Sequence, residues 1–77
     1  MDCYLAQIQL FAFDFIVRGW APCNGQILDI HHNEALFSLL GTKYGGDGIH
    51  NFALPKLDPV GDAHYQICVS GNYPSRD

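Results

Sequence analysis

Positive charge is what this chain has least of. Only Arg18, Lys43, Lys56 and Arg76 carry it, against eight acidic side chains, for a formal net charge of −4 over 77 residues. These four are scattered, so no basic cluster exists to neutralise phosphates, and nucleic-acid binding on that basis is excluded. The same scarcity removes polybasic attraction to an anionic membrane. A run of about twenty apolar residues, the length a spanning helix needs, is also missing. The apolar opening at residues 3–17 has no Lys or Arg before it and is interrupted by Gln7, Gln9 and Asp14, which is not a secretory pattern. Synthesis in the cytoplasm is expected, with any exit by lysis or as part of a particle.

Cysteine is sparse and poorly spaced for chemistry. Cys3, Cys23 and Cys68 are odd in number and form no Cys-x-x-Cys pair, so neither a zinc finger nor a thioredoxin-type site is signalled. Without a secretion signal, three buried free thiols are favoured over a disulfide. The histidines are no better placed. His31 and His32 are adjacent, so on a helix they point about 100° apart and cannot chelate together. No metal or cofactor is expected within one chain; a ring of histidines about an oligomer axis stays open. Cys23 or Cys68 with His50 or His64 would be the raw material for a nucleophilic site, but nothing marks either thiol as activated.

What is present is a folded composition, with 48 % apolar and 16 % charged residues. A chain this short buries only about 60 % of its unfolded surface, so its core is marginal and a staple or a partner is expected. Aromatics are 13 % of the chain. Many rings and few charges on one small body point to a surface that is partly covered by another chain.

Along the chain, Ala6, Ile8 and Leu10 share one face by period two and Gln7 and Gln9 the other, which predicts a half-buried strand. Phe11, Phe13 and Phe15 then alternate on the glutamine face, so a bulge, a bend or the strand's end is expected near Leu10-Phe11. These three phenylalanines cannot all be buried in so small a monomer and are the candidate interface. Trp20–Cys23 reads as a short strand that Pro22 confines to an edge or an end. Asn24-Gly25 is the strongest short hairpin signal, and a tight hairpin is predicted over 20–28. The stripe Ala35, Leu36, Leu39, Leu40 predicts a helix at about 32–40, closed by Gly41, with Asn33 or Asp29 as its cap. Tyr44–Gly48 is a glycine-rich loop in which Gly45, Gly46 and Gly48 permit a close turn and Asp47 bridges backbone N–H groups. It lacks the Gly-Lys-Ser/Thr of a phosphate loop, and calcium at Asp47 would have no second acidic ligand nearby. Phe52–Pro55 is extended, and a closing strand is expected at about 64–70 before a polar, loose tail at 71–77. Trp20 is expected in the core with its N–H on an acceptor; sugar stacking is its alternative role.

Several blocks together resemble one family. Arg18-Gly19-Trp20-Ala21-Pro22-Cys23-Asn24-Gly25-Gln26 resembles the "RGWxxCdGq" signature of the phage tail collar domain. Asn33 to Gly48, with Leu36-Phe37, Gly41 and Tyr44-Gly45-Gly46-Asp47-Gly48, resembles its "nqaLFsLLGttYGGDG". Asn51-Phe52-Ala53-Leu54-Pro55 resembles its "tFaLPdL". The block spacing also fits, over about Tyr4 to Leu57. The resemblance implies a small, mostly-β α+β collar-type domain filling residues 1–77, its core at about 4–57, with no catalytic or cofactor residues of its own. It also implies a structural role in a phage tail fibre or a phage-tail-like contractile injection particle, often as a trimer, with tail-fibre or baseplate proteins as partners and host attachment as the setting. A small lectin-like adhesin, stacking glycans on Trp20, Tyr44 and Tyr73, is the alternative, and an enzyme is not expected. Departures are local. His31 stands where a capping serine is common, Asp29 where proline is frequent, and Asp58-Pro59-Val60-Gly61 where "RGR" is usual. About twenty residues follow Leu57, so the distal receptor-binding region of longer members, where tail-fibre zinc sites lie, is not expected here.

Overall fold

A computed structural model describes residues 3–75. Five short strands and one helix follow in order: β1 Ile8–Phe11, β2 Trp20–Pro22, β3 Ile27–Asp29, α1 Glu34–Leu40, β4 Asn51–Ala53 and β5 His64–Cys68. They form two antiparallel sheets, one of order β1-β5-β2 and one pairing β3 with β4. This is the mostly-β α+β architecture expected.

The last strand lies in the middle. β5 pairs with β1 in the register Ile8↔Ile67 to Phe11↔His64, and with β2 in the register Trp20↔Cys68 to Pro22↔Gln66. Successive strand residues point to opposite faces, yet Gln66, Ile67 and Cys68 are all fully buried. The reason is that a separate apolar cluster covers each face. Ile67 joins Cys23, Leu36, Phe52 and Leu54 on one side, while Cys68 joins Cys3, Phe11 and Trp20 on the other.

That arrangement revises the first strand. Ile8 and Leu10 are exposed and Phe11 is buried, so the covered face of β1 is the glutamine face. The larger cluster reaches Ala21, Leu28, Ile30 and Phe37 but stops short of Ile8 and Leu10, which sit on an edge strand beyond its rim. The strand ends at Phe11 and bends follow. At its start, Cys68 N–H donates to the Gln7 carbonyl at 2.9 Å and Ala6 N–H to the Cys68 carbonyl at 3.0 Å. Two residues of one strand therefore face one of the other, which is a bulge. Ala6 occupies its left-handed position with φ 71°.

No hairpin forms over 20–28. β2 and β3 lie in different sheets, and Asn24-Gly25 is the corner between them. Gly25 has φ 80° and Gln26 N–H donates to Asn24 Oδ1 at 3.0 Å. The partners that a hairpin would have supplied come from later in the chain. Cys23 accepts from Leu57 N–H and donates to the Tyr65 carbonyl, Gln26 accepts from Leu54 N–H, and Gly25 donates to Pro55. Asn-Gly supplied the local reversal, and long-range pairing decided its neighbours.

The helix is shorter than its predicted 32–40 span because residues 29–33 form a polar turn. Asp29 Oδ1 accepts from His31 N–H, Asp29 Oδ2 meets His32 Nδ1, and Asn33 donates its side-chain amide to the Asp29 carbonyl. Asn33 occupies the cap position without a side-chain cap bond. Leu36 is buried, Phe37 and Leu40 pack beside it, and Ala35 is exposed. Gly41 closes the helix at φ 55°, its N–H on the Phe37 carbonyl at 2.7 Å. Within the tail expected to be loose, Asn72 and Tyr73 are tied down. Leu5 N–H donates to Asn72, Asn72 N–H to Cys3, and Tyr73 OH lies 2.8 Å from Ser38 Oγ. Residues 76 and 77 of the expected loose tail lie outside the described residues.

Candidate functional site

The three phenylalanines and Trp20 form a ladder from core to surface. Trp20 and Phe11 meet edge to face with centroids 5.3 Å apart, Phe11 and Phe13 are 5.1 Å apart, and Phe13 stacks on Phe15 at 4.2 Å and 15°. Exposure climbs with each step, from 5 % at Trp20 and 8 % at Phe11 to 37 % at Phe13 and 64 % at Phe15. Phe11 is therefore interior and leaves the candidate interface set. Phe13 and Phe15 stand outside, and the exposed Ile16, which the alternation did not single out, stands with them.

The residue that positions this ridge is Gln66. Its side chain is fully buried on β5. Its Oε1 accepts from Val17 N–H at 3.0 Å, and its Nε2 donates to the Phe15 carbonyl at 3.0 Å and lies 2.7 Å from His64 Nε2. One carboxamide thus satisfies both sides of the loop between β1 and β2, and the buried polar group is itself satisfied. Within Tyr65-Gln66-Ile67 a glutamine reads as the wet side of a half-buried strand. Only the second apolar cluster turns it inward.

The family-type segments hold the frame. Gly19, at φ 86°, offers its carbonyl to both Val69 and Ser70 N–H groups, which seats Arg18-Gly19-Trp20 against the chain beyond β5. Trp20 is enclosed by Phe11, Cys3, Cys68 and Val17. Its indole N–H is buried without an acceptor among the described residues, contrary to expectation, because everything in that cluster is apolar or sulfur. Its ring is thereby removed from the candidate sugar-stacking faces; Tyr44 and Tyr73 remain exposed.

In the glycine-rich loop, Asp47 Oδ1 accepts from the backbone N–H groups of Ile49, His50 and Asn51 at 2.8–3.0 Å. These bonds, with His50 beside Oδ2, hold its carboxyl far below the usual range. Asp29 is lowered in the same sense, chiefly by His32. Gly46, at φ 96°, passes so close to β4 that a Cβ would strike Phe52 Cα and lie 2.8 Å from the Asn51 carbonyl oxygen. The loop thereby lies against Phe52, which with Leu54 and Pro55 is fully buried.

The thiols differ from expectation. Cys3 and Cys68 are joined in a disulfide across 65 residues, and Cys23 alone is free. Burial pushes the Cys23 thiol up to about 11, so it is neutral near pH 7. Cys68 is not paired with His50 or His64, and among the described residues no three His, Cys, Asp or Glu side chains converge as a metal site. No helix among them is long and apolar enough to cross a membrane.

No curated protein matches the chain. The family model described as Phage Tail Collar Domain matches residues 6–59, a span that takes in the bulge, the aromatic ridge, the Arg-Gly-Trp corner, the helix and the Asp47 loop. The chain belongs to the phage tail collar domain family.

Proposed function

We propose that this protein is a non-catalytic structural and assembly component of a phage tail fibre or of a phage-tail-like contractile injection particle. The collar domain is a structural tail-fibre domain, and membership in its family supports a tail component. The observation that carries the assembly reading is the Phe13–Phe15 stack with Ile16, exposed and yet pinned by a buried glutamine. Rings fixed in place and left in water cost little further entropy to cover, and such patches mark contact sites. The occupant is a second copy of the chain, in a trimer, or a tail-fibre or baseplate protein within the assembled particle, whose task is host attachment. In the disulfide-bonded form the chain offers no activated thiol, since Cys3 and Cys68 are joined to each other and burial holds Cys23 neutral.

Size-exclusion chromatography with light scattering tests this reading. The native chain is expected to run as an oligomer at micromolar concentration and the Phe13→Ser/Phe15→Ser variant as a folded monomer. A native chain that is a stable monomer, and that no tail-fibre or baseplate protein binds, overturns it. The adhesin alternative keeps Tyr44 and Tyr73, but Trp20 is interior and the Tyr73 hydroxyl is engaged by Ser38.

A further inference from the structure

The two ends of the described chain meet at one buried point. Cys68 is fully buried on the central strand and Cys3 nearly so, and backbone bonds Ala6 to Cys68, Leu5 to Asn72 and Asn72 to Cys3 run beside their sulfurs. Gly71 closes over them. A Cβ there would strike the Cys3 carbonyl oxygen and lie 2.7 Å from Cys68 Sγ and 2.9 Å from Cys3 Sγ. The segment 3–7 is thus a strap laid across the end of β5, fastened by four backbone hydrogen bonds, which hold it in register without the disulfide, and by one covalent link.

We propose that the Cys3–Cys68 bond is an oxidative latch: the chain folds in its reduced form, and a small-molecule disulfide then locks the strap onto the finished β1-β5-β2 sheet. The strap carries one sulfur and β5 the other, which sets the order of events. When the strap lifts, the Cys3 thiolate attacks the disulfide R–S–S–R, forms a Cys3–S–S–R mixed disulfide and releases R–S⁻. When the strap returns, the Cys68 thiolate displaces the second R–S⁻ and the Cys3–Cys68 bond forms. Two electrons pass from the protein sulfurs to the reagent, two protons leave the thiols, and two R–SH result. Cys23 does not compete. It belongs to the other apolar cluster, across the sheet from Cys68, and burial keeps it a thiol. A chain passing from a reducing to an oxidising compartment would be stabilised by this step with no change of fold. Once closed, the buried sulfurs would be screened from reductant until the strap opens.

The test uses the full chain purified under reductant and then treated with glutathione disulfide. Intact mass should fall by two hydrogens, with Cys23 the one thiol alkylated after unfolding. The oxidised form should melt about 15 °C or more above the reduced form, given the long loop closed and the small size of the domain. Circular dichroism of the two forms should coincide. A Cys3→Ser/Cys68→Ser variant should show one melting temperature with or without reductant. Gly71→Ala, which leaves all three thiols in place, should slow locking at least tenfold and retain a glutathione adduct on Cys3. A reduced chain with no cooperative melt, a disulfide that includes Cys23, equal melting temperatures for the two forms, or wild-type locking rates in Gly71→Ala would each overturn the latch.

Discussion

At the scale of single residues, the conformations that matter are those that side chains resist. Ala6 sits at φ 71° in the bulge opposite Cys68. A Cβ in that region meets its own carbonyl, at a cost of roughly 1–2 kcal/mol that glycine avoids. Ala6→Gly is expected to raise stability by about 0.5–1 kcal/mol despite glycine's greater freedom in the unfolded chain, read as an upward shift of the thermal midpoint. Asp47 gives a pH signature. Its folded carboxyl lies below its unfolded value because three backbone N–H groups point at it. Stability from this group is therefore fully present above the unfolded value, about pH 4, and declines as pH falls further. Thermal melts between pH 6 and pH 2.5 should show this decline, and Asp47→Ala should be less stable at pH 6 and show a shallower loss on acidification. The turn role of Asp47 was legible from its glycines. The inward turn of Gln66 was not, since a residue's neighbours in sequence do not say whether both sides of its strand are covered.

At the scale of elements, the loop between β1 and β2 depends on one side chain of β5. Gln66→Leu keeps the volume and the apolar surroundings but leaves the Val17 N–H and the Phe15 carbonyl without partners. Each orphaned group costs about 1–3 kcal/mol if it stays buried. The variant should lose about 2–4 kcal/mol, or escape part of that by letting the loop swing into water. Amide exchange at Val17 separates the two: either way it should speed up, while exchange in β3 and β4 should hardly move relative to global stability. Elements were read from the sequence with uneven success, and for a consistent reason. The closing strand and the edge position of β2 followed from β-prone residues and Pro22. The helix body followed from Leu36 and Leu40, but its start slipped to Glu34 because Asp29 captured the preceding turn. The hairpin failed because Asn24-Gly25 fixes only a reversal, whereas Leu54, Leu57 and Tyr65, some thirty to forty residues on, supply the bonds around it.

At the scale of the molecule, surface is the informative quantity. The chain exposes 5180 Å², where a compact monomer of its 8.6 kDa would show about 4,700 Å². Its radius of gyration is 12.3 Å, against about 11.5 Å expected for this length. The excess comes with twelve large apolar side chains exposed among the described residues, against eleven apolar residues in the core, and with few charges to keep them wetted. Composition alone foretold this shortfall of interior. It could not foretell the covalent staple, because an odd cysteine count carries no pairing and strand order is set by contacts far apart in the chain. The disulfide contributes about 4 kcal/mol by restricting the unfolded chain, which supports a marginal core without covering the ridge. Association would cover Phe13, Phe15 and Ile16, and association obeys mass action. If the folded oligomer is the stable form, the melting temperature of the oxidised protein must rise with protein concentration, because unfolding then releases separate chains. Melts over a hundredfold range of concentration should shift upward by several degrees, and Phe13→Ser/Phe15→Ser should flatten that dependence while leaving the effect of the disulfide intact. A midpoint independent of concentration in the native chain would mean that its exposed rings are tolerated by a lone subunit.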